Sequence, residues 1–212
     1  MNAPLAAPRP TRTATRPRRG QMLLLALLFF VPLLSAFIMY YGSQWRPARH
    51  VNHGVLIDPA SSLPLIALPQ VIPAPAEGRD ALAAADVLRA KWSLVYIGRG
   101  DCDADCRDTL YFMRQTHLGL ANLIPRVQRV FLATDSCCDR DFLAREQPNL
   151  LTLDANGAAG AALLAPFPLD RRATTIFVVD PRGNLMMRYD AHEDPKGLRN
   201  DLKRLLLLSH IG

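Results

Sequence analysis

Two cysteine pairs set the chemistry open to this chain. Cys102 and Cys106 stand in Asp101-Cys102-Asp103-Ala104-Asp105-Cys106-Arg107, directly after the apolar run Leu94-Val95-Tyr96-Ile97 and at the start of a helix-like stretch. A helix N-terminus offers free N–H groups and the positive end of the helix dipole, both of which favour a thiolate over a thiol. The thiolate is the species that attacks disulfides and binds soft metal ions, so this placement points to thiol–disulfide exchange or to Cu(I). The competing structural reading is an ordinary local disulfide. The second pair, Cys137 and Cys138 in Thr134-Asp135-Ser136-Cys137-Cys138-Asp139, follows the next apolar run. It is read either as a second thiol relay or as an idle pair at a helix start. Four cysteines allow three pairings, and the sequence does not choose among them.

The charges around Cys102 and Cys106 pull in opposite directions. Asp101, Asp103 and Asp105 raise a thiol's pKa by like-charge repulsion, whereas Arg99 and Arg107 lower it. The acids are read as solvating a loop and capping a helix rather than as catalytic groups. Among the five histidines, His192 follows the last strand and is the candidate third ligand for a metal held by Cys102 and Cys106. It competes with a solvated loop position beside Glu193 and Asp194. His117 near a helix end is read as a partner of the helix dipole, His210 as part of the tail, and His50 and His53 as polar loop residues without a cysteine or acid at ligand spacing.

The elements that must hold these thiols begin with a membrane anchor. With 212 residues the chain has room for one domain of ordinary size plus extensions. The net charge of +6 is local: Arg9, Arg12, Arg16, Arg18 and Arg19 account for five of the 25 basic residues, leaving 20 against 19 acids beyond them. This argues against nucleic acid as a partner and for a basic tail flanking a membrane. Residues 1–21 are rich in Pro, Ala, Thr and Arg and are predicted to be a disordered cytoplasmic tail. Residues 22–41 carry no charge, and twenty residues at about 1.5 Å each cross a hydrocarbon layer of roughly 30 Å. Arg18 and Arg19 on one side, with Tyr40, Tyr41 and Trp45 on the other, predict a single span whose N-terminus stays in the cytoplasm. A cleaved signal peptide would have a shorter apolar core and a small-residue cleavage site, which Phe37-Ile38-Met39-Tyr40-Tyr41 does not supply. Prolines at 47, 59, 64, 69, 73 and 75 then predict an extended tether over residues 42–78, with one short edge strand at 65–68.

The folded part is predicted over residues 79–212. A helix at 80–89 precedes a strand at 93–97, a helix at 106–117, a strand at 129–133 and helices at 139–146 and 156–165. Strands at 174–179 and 185–189 flank the turn Asp180-Pro181-Arg182-Gly183-Asn184, and an amphipathic helix at 197–209 closes the chain with Leu198, Leu202, Leu205 and Leu206 on one face. This order predicts an α/β fold, a thioredoxin-like mixed sheet flanked by helices. Loops beyond the carboxyl ends of adjacent parallel strands converge, and neighbouring strands lie about 4.8 Å apart, so all four sulfurs are expected on one exposed rim.

Three stretches, Lys91-Trp92-Ser93-Leu94-Val95-Tyr96-Ile97-Gly98, Cys102-x-x-x-Cys106 and Ile176-Phe177-Val178-Val179-Asp180-Pro181-Arg182-Gly183, resemble the SCO/SenC family over roughly residues 85–208. The resemblance implies a membrane-anchored thioredoxin-fold protein that assists assembly of the copper site of cytochrome c oxidase, with the two cysteines and a histidine binding copper. The chain departs from that pattern at two places. Arg171-Arg172-Ala173-Thr174-Thr175, which matches the histidine region, contains no histidine, and Arg107 stands where the family usually has a proline.

The leading expectation is therefore a single-pass inner-membrane protein with a periplasmic redox-active domain. Cys102 and Cys106 would exchange disulfides with a client, such as the oxidase subunit that carries the copper site, and would handle Cu(I). Two rivals are a scaffold subunit whose cysteines only staple loops, and a general extracytoplasmic thiol–disulfide oxidoreductase. The general oxidoreductase usually has a proline before its hairpin strand, where this chain has Thr174-Thr175.

Overall fold

The computed structural model describes residues 19–42, 52–71, 87–135, 137–168, 172–194 and 196–211. The basic tail before residue 19, His50, much of the expected tether and most of the helix expected at 80–89 lie outside the described residues. The chain divides into two compact units, residues 1–50 and 51–212.

In the first unit, α1 (Arg19–Gly42) is a 24-residue helix long and apolar enough to cross a membrane. At the helical rise its length is about 36 Å. Pro32 lies inside it, and the Ser35 hydroxyl donates to the Pro32 carbonyl oxygen at 2.9 Å. Local hydroxyl bonds of this kind accompany proline in membrane helices.

The second unit is a six-stranded sheet in the order β1-β6-β5-β2-β3-β4. Its strands are β1 (Val55–Ser62), β2 (Trp92–Arg99), β3 (Val127–Thr134), β4 (Leu150–Asp154), β5 (Thr175–Val179) and β6 (Asn184–Asp190). β2, β3 and β4 run parallel, whereas β5 pairs antiparallel with β2 and β6, and β1 antiparallel with β6. The helices are α2 (Ala104–Leu118), α3 (Arg140–Glu146), α4 (Gly157–Leu164) and α5 (Gly197–Leu208).

Both sheet faces are buried because apolar residues alternate along runs that are apolar throughout. Trp92, Leu94 and Tyr96 of β2 join one cluster with Phe131, Leu110 and Met113, and with Leu198, Leu202 and Leu206 of α5. Val95 and Ile97 face the other cluster, with Val130, Leu132, Phe177, Leu163 and Phe167. Each fully buried leucine of this kind contributes about 1.5–3 kcal/mol of transfer free energy. The amphipathic closing helix and the hairpin around Asp180 form as predicted. Asp180 Oδ1 accepts the Arg182 and Asn184 N–H groups across the turn.

The segment expected as an extended tether behaves differently over residues 52–71. The edge strand falls at Val55–Ser62 and not at 65–68. Pro64 and Pro69 interrupt the later stretch, while Pro59 is tolerated in β1 because the strand lies at the sheet edge and its pairing is irregular between Leu56 and Ser61. Beyond β1 the chain crosses the second face, burying Leu63 and Leu68, and Gln70 bridges to Leu153 of β4. The strap thus supplies one outer strand itself and pairs along the other, β4, covering part of an edge that would otherwise invite pairing with another chain. β4, a five-residue strand that starts directly after Pro148-Asn149, is not among the predicted strands.

Candidate redox site

β2 carries the chain to the first cysteine pair. Gly98, near its end, allows the Tyr96 ring to fold back: a Cβ at Gly98 would lie 2.7 Å from the Tyr96 hydroxyl oxygen. The Gly100 N–H donates to Thr134 O at 2.8 Å, and the Cys102 N–H to Arg99 O at 3.2 Å, which closes a tight turn with Cys102 in the left-handed region (φ 47°). α2 begins two residues later. Asp103 is its N-cap, accepting the Cys106 N–H at 3.0 Å, as expected for the acids of this loop.

Cys102 and Cys106 are joined as a disulfide with Cα atoms 5.1 Å apart, and Cys137 is joined to Cys138. The expected exposure of the first pair is not found. Cys102 is 1% and Cys106 2% exposed, both inside the cluster that holds Tyr96, Leu110 and Phe131. The turn at Cys102 carries its side chain inward beneath the first turn of α2, and strand-to-helix spacing alone cannot convey that. Cys137 and Cys138 are only partly buried.

The two cysteine loops are tied to each other. β2 and β3 pair in register through Arg99 and Thr134, and the Asp139 N–H donates to Gly100 O at 3.3 Å. Arg107 adds a side-chain bridge: its Nε donates to Cys102 O and its Nη2 to Asp139 Oδ2, each at 3.1 Å, with the guanidinium 4.5 Å from the Phe142 ring centroid. Arg107, directly after the second cysteine, thus serves as the clamp between the loops. Arg99 pairs with Asp101 at the surface, where such a pair contributes little. Burial first, and then the charges of Asp103 and Asp105, hold the Tyr96 phenol far above its ordinary pKa, so it stays protonated beneath the loop.

The histidines do not gather at the sulfurs. His192 is exposed beyond β6, separated from β2 by β5, and its N–H donates to Asp190 Oδ1 at 3.0 Å. Among the described residues no group of three or more His, Cys, Asp or Glu side chains could hold a metal ion. Arg172, in the stretch expected from the sequence to match the SCO/SenC histidine region, turns away to the end of α4, donating to the Leu164, Phe167 and Pro168 carbonyl oxygens. His117, in the last turn of α2, bonds through Nε2 to Val127 O at 2.9 Å, and burial lowers its pKa.

His53 is not a plain loop residue. Its N–H donates to Asp201 Oδ2 at 2.6 Å and its Nδ1 lies 3.1 Å from Asp201 Oδ1. Asp201, 5% exposed, also accepts the Gly54 N–H at 3.2 Å and the Tyr189 hydroxyl at 2.6 Å. These bonds hold the Asp201 carboxyl below the usual range against the opposing effect of burial. Sequence reading missed this clasp, although one signal was available: Asp201 sits on the apolar face of α5, three residues after Leu198.

Comparison with known structures places the fold. Apo Sco1 from Thermus thermophilus matches with TM-score 0.50 at 19% identity, covering 76% of this chain and 98% of that one. Yeast Sco1 matches with TM-score 0.51 at 19% identity, covering 57% and 83%. A secreted thiol-disulfide isomerase from Corynebacterium glutamicum matches with TM-score 0.53 at 17% identity, covering 77% and 97%. Identities this low establish a shared thioredoxin-like fold, and at that level the resemblance to SCO/SenC proteins is borne out. No curated protein matches the sequence. A family model described as "transmembrane-like, thioredoxin-like, C-terminal domain" matches residues 92–209, more than half of the chain, and the protein therefore belongs to that family.

Proposed function

We infer that this is a membrane-anchored thiol–disulfide exchange protein whose domain faces the periplasm from the inner membrane. The observation that carries the reading is the Cys102–Cys106 disulfide closed across the first turn of α2, at the carboxyl end of a central parallel strand. That position gives a released Cys106 thiolate the helix N-terminus as its stabilising environment. Exchange is written as attack of a client thiolate on one sulfur, release of the other as a thiolate that takes up a proton, and cleavage of the mixed disulfide by the client's second thiolate. The client is oxidised and Cys102 and Cys106 are reduced. Because both sulfurs are almost fully buried, the step requires the loop to open.

Maturation of a respiratory oxidase is the setting that the SCO resemblance supports, with the copper-site subunit as client. Copper enters this reading as cargo only. Reduced Cys102 and Cys106 would offer two soft donors, but among the described residues no group of three or more His, Cys, Asp or Glu side chains could hold a metal, and no step is routed through it. The test is made in cells. Alkylation trapping should find Cys102 and Cys106 in both dithiol and disulfide forms, and the double Cys→Ser variant should lose oxidase activity. Full oxidase activity in that variant would instead support a scaffold whose disulfide is structural.

A further inference from the structure

Two disulfides lie at the ends of adjacent, in-register parallel strands, and they differ in access. Cys102 and Cys106 are 1% and 2% exposed, whereas Cys137 and Cys138 are only partly buried. Exchange proceeds by approach of a thiolate to a sulfur along the S–S axis, so a sulfur without exposed surface cannot be reached by a bulky client without prior opening. The outer pair meets that requirement better. The loops are also held together: Asp139, next to Cys138, bonds through its N–H to Gly100 O, and Arg107 joins the Cys102 carbonyl to the Asp139 carboxylate. The residue after the outer pair is thus linked, through Arg107, to the carbonyl of Cys102.

We propose that Cys137–Cys138 is a second redox site, the entry through which a client dithiol passes its electrons to the buried Cys102–Cys106 disulfide. In the first stage a client thiolate attacks one sulfur of Cys137–Cys138, breaking that bond. The released thiolate takes up a proton, and the client's second thiolate cleaves the mixed disulfide, leaving an oxidised client and two thiols at Cys137 and Cys138. In the second stage one of these, as a thiolate, attacks Cys102 or Cys106 within the same molecule. The expelled thiolate is protonated, and the remaining thiol of the outer pair resolves the interloop disulfide. The outer disulfide is restored, the inner pair becomes a dithiol, and two electrons and two protons have moved inward. The only reductant is the client dithiol, and the only oxidant is the disulfide already in the structure. The Arg107–Asp139 pair is the clamp that keeps the loops adjacent during the second stage.

This proposal rests on redox activity of the inner pair, and the experiment separates the two claims. The full chain in detergent micelles is mixed with a reduced, unstructured peptide carrying two cysteines, quenched with alkylating reagent at successive times, and each cysteine's state is read by mass spectrometry. In Cys102→Ser/Cys106→Ser, where the second stage has no acceptor, the peptide should reduce the outer pair and leave Cys137 and Cys138 open to alkylation. In Cys137→Ser/Cys138→Ser, reduction of the inner pair by the peptide should slow by about tenfold or more, because the exchange rate depends on access to the attacked sulfur and the bulky client must now reach the buried disulfide directly. Its reduction by the small reagent dithiothreitol should be much less affected, which distinguishes lost relay from lost folding. Combining Cys137→Ser or Cys138→Ser with Cys102→Ser or Cys106→Ser should yield an interloop disulfide in at least one of the four pairings. An outer pair that the peptide leaves oxidised in Cys102→Ser/Cys106→Ser, or an unchanged peptide rate in the outer-pair variant, overturns the relay while leaving the inner pair's activity standing. An inner pair that neither reagent reduces overturns both claims.

Discussion

Replacing Asp201 tests whether the strap is fastened as the structure shows. Asp201 accepts the His53 N–H, the Gly54 N–H and the Tyr189 hydroxyl, beside its contact with His53 Nδ1. Hydrogen bonds to a charged partner contribute about 1.5–3 kcal/mol each, so three come to roughly 5–9 kcal/mol without relaxation. Release of residues 52–54 lets water recover the two backbone donors, which leaves an expected loss of about 3–5 kcal/mol for Asp201→Ala. Asp201→Asn keeps one acceptor oxygen and the shape, and loses charge assistance alone, about 1–2 kcal/mol. Denaturant unfolding of the full chain in micelles, followed by fluorescence of buried Trp92, reads both values, and hydrogen exchange at the β1 amides should accelerate in the same order. The pH dependence has a definite sign. A carboxyl held below its unfolded value of about 3.9 stabilises the fold above that pH, and the contribution is lost as pH falls through the lower folded value. The penalty of Asp201→Asn should therefore be full at neutral pH and shrink in acid. A change below about 0.5 kcal/mol for Asp201→Ala, the range of an ordinary surface substitution, would refute the reasoning.

Four further outcomes are expected. Gly98→Ala places a Cβ 2.7 Å from the Tyr96 hydroxyl oxygen, and should destabilise the domain by about 1–3 kcal/mol in thermal unfolding because a buried ring must move. Arg126 donates to the Leu206, Ser209 and Ile211 carbonyl oxygens at the end of α5, and Arg126→Ala should fray the last turn in hydrogen exchange and cost about 1–2 kcal/mol. His117 is half-buried with a pKa lowered by that burial, so the unfolded chain binds its proton more readily. Stability should fall as pH drops from about 6.5 toward the lower folded value, and His117→Gln should flatten that part of the profile. In Cu(I) titrations of the reduced full chain, Cys102→Ser should abolish whatever binding the inner thiols provide, while His192→Ala should leave it unchanged because His192 lies beyond β6.

Much of the fold was legible because its elements announce themselves locally. The apolar runs of β2, β3 and β5 are bounded by charged or turn residues, the Asp180 hairpin has its turn chemistry, and α5 shows a leucine face. β1 was hidden because Pro59 and Pro64 suggest an extended tether, and only the pairing with β6 at an edge makes a proline-bearing strand admissible. β4 was hidden by its shortness. At the site, position was legible and access was not. The strand-to-helix junction and the acid cap follow from spacing, but the inward turn at Cys102 depends on hydrogen bonds between β2 and β3 that no local pattern contains. Arg107 and Asp201 show the same limit. Each acts through a partner more than 30 residues away in sequence or on another element.

The central claim, that the Cys102–Cys106 bond is a working redox couple, is tested most directly by equilibrating the full chain in micelles with glutathione buffers of graded ratio, trapping thiols, and reading the peptide that contains both cysteines. The account predicts a single reversible two-electron transition, with the same midpoint approached from the oxidised and the reduced side. A bond that stays closed in every buffer and opens only when the domain unfolds would mark it as a structural staple and contradict the account.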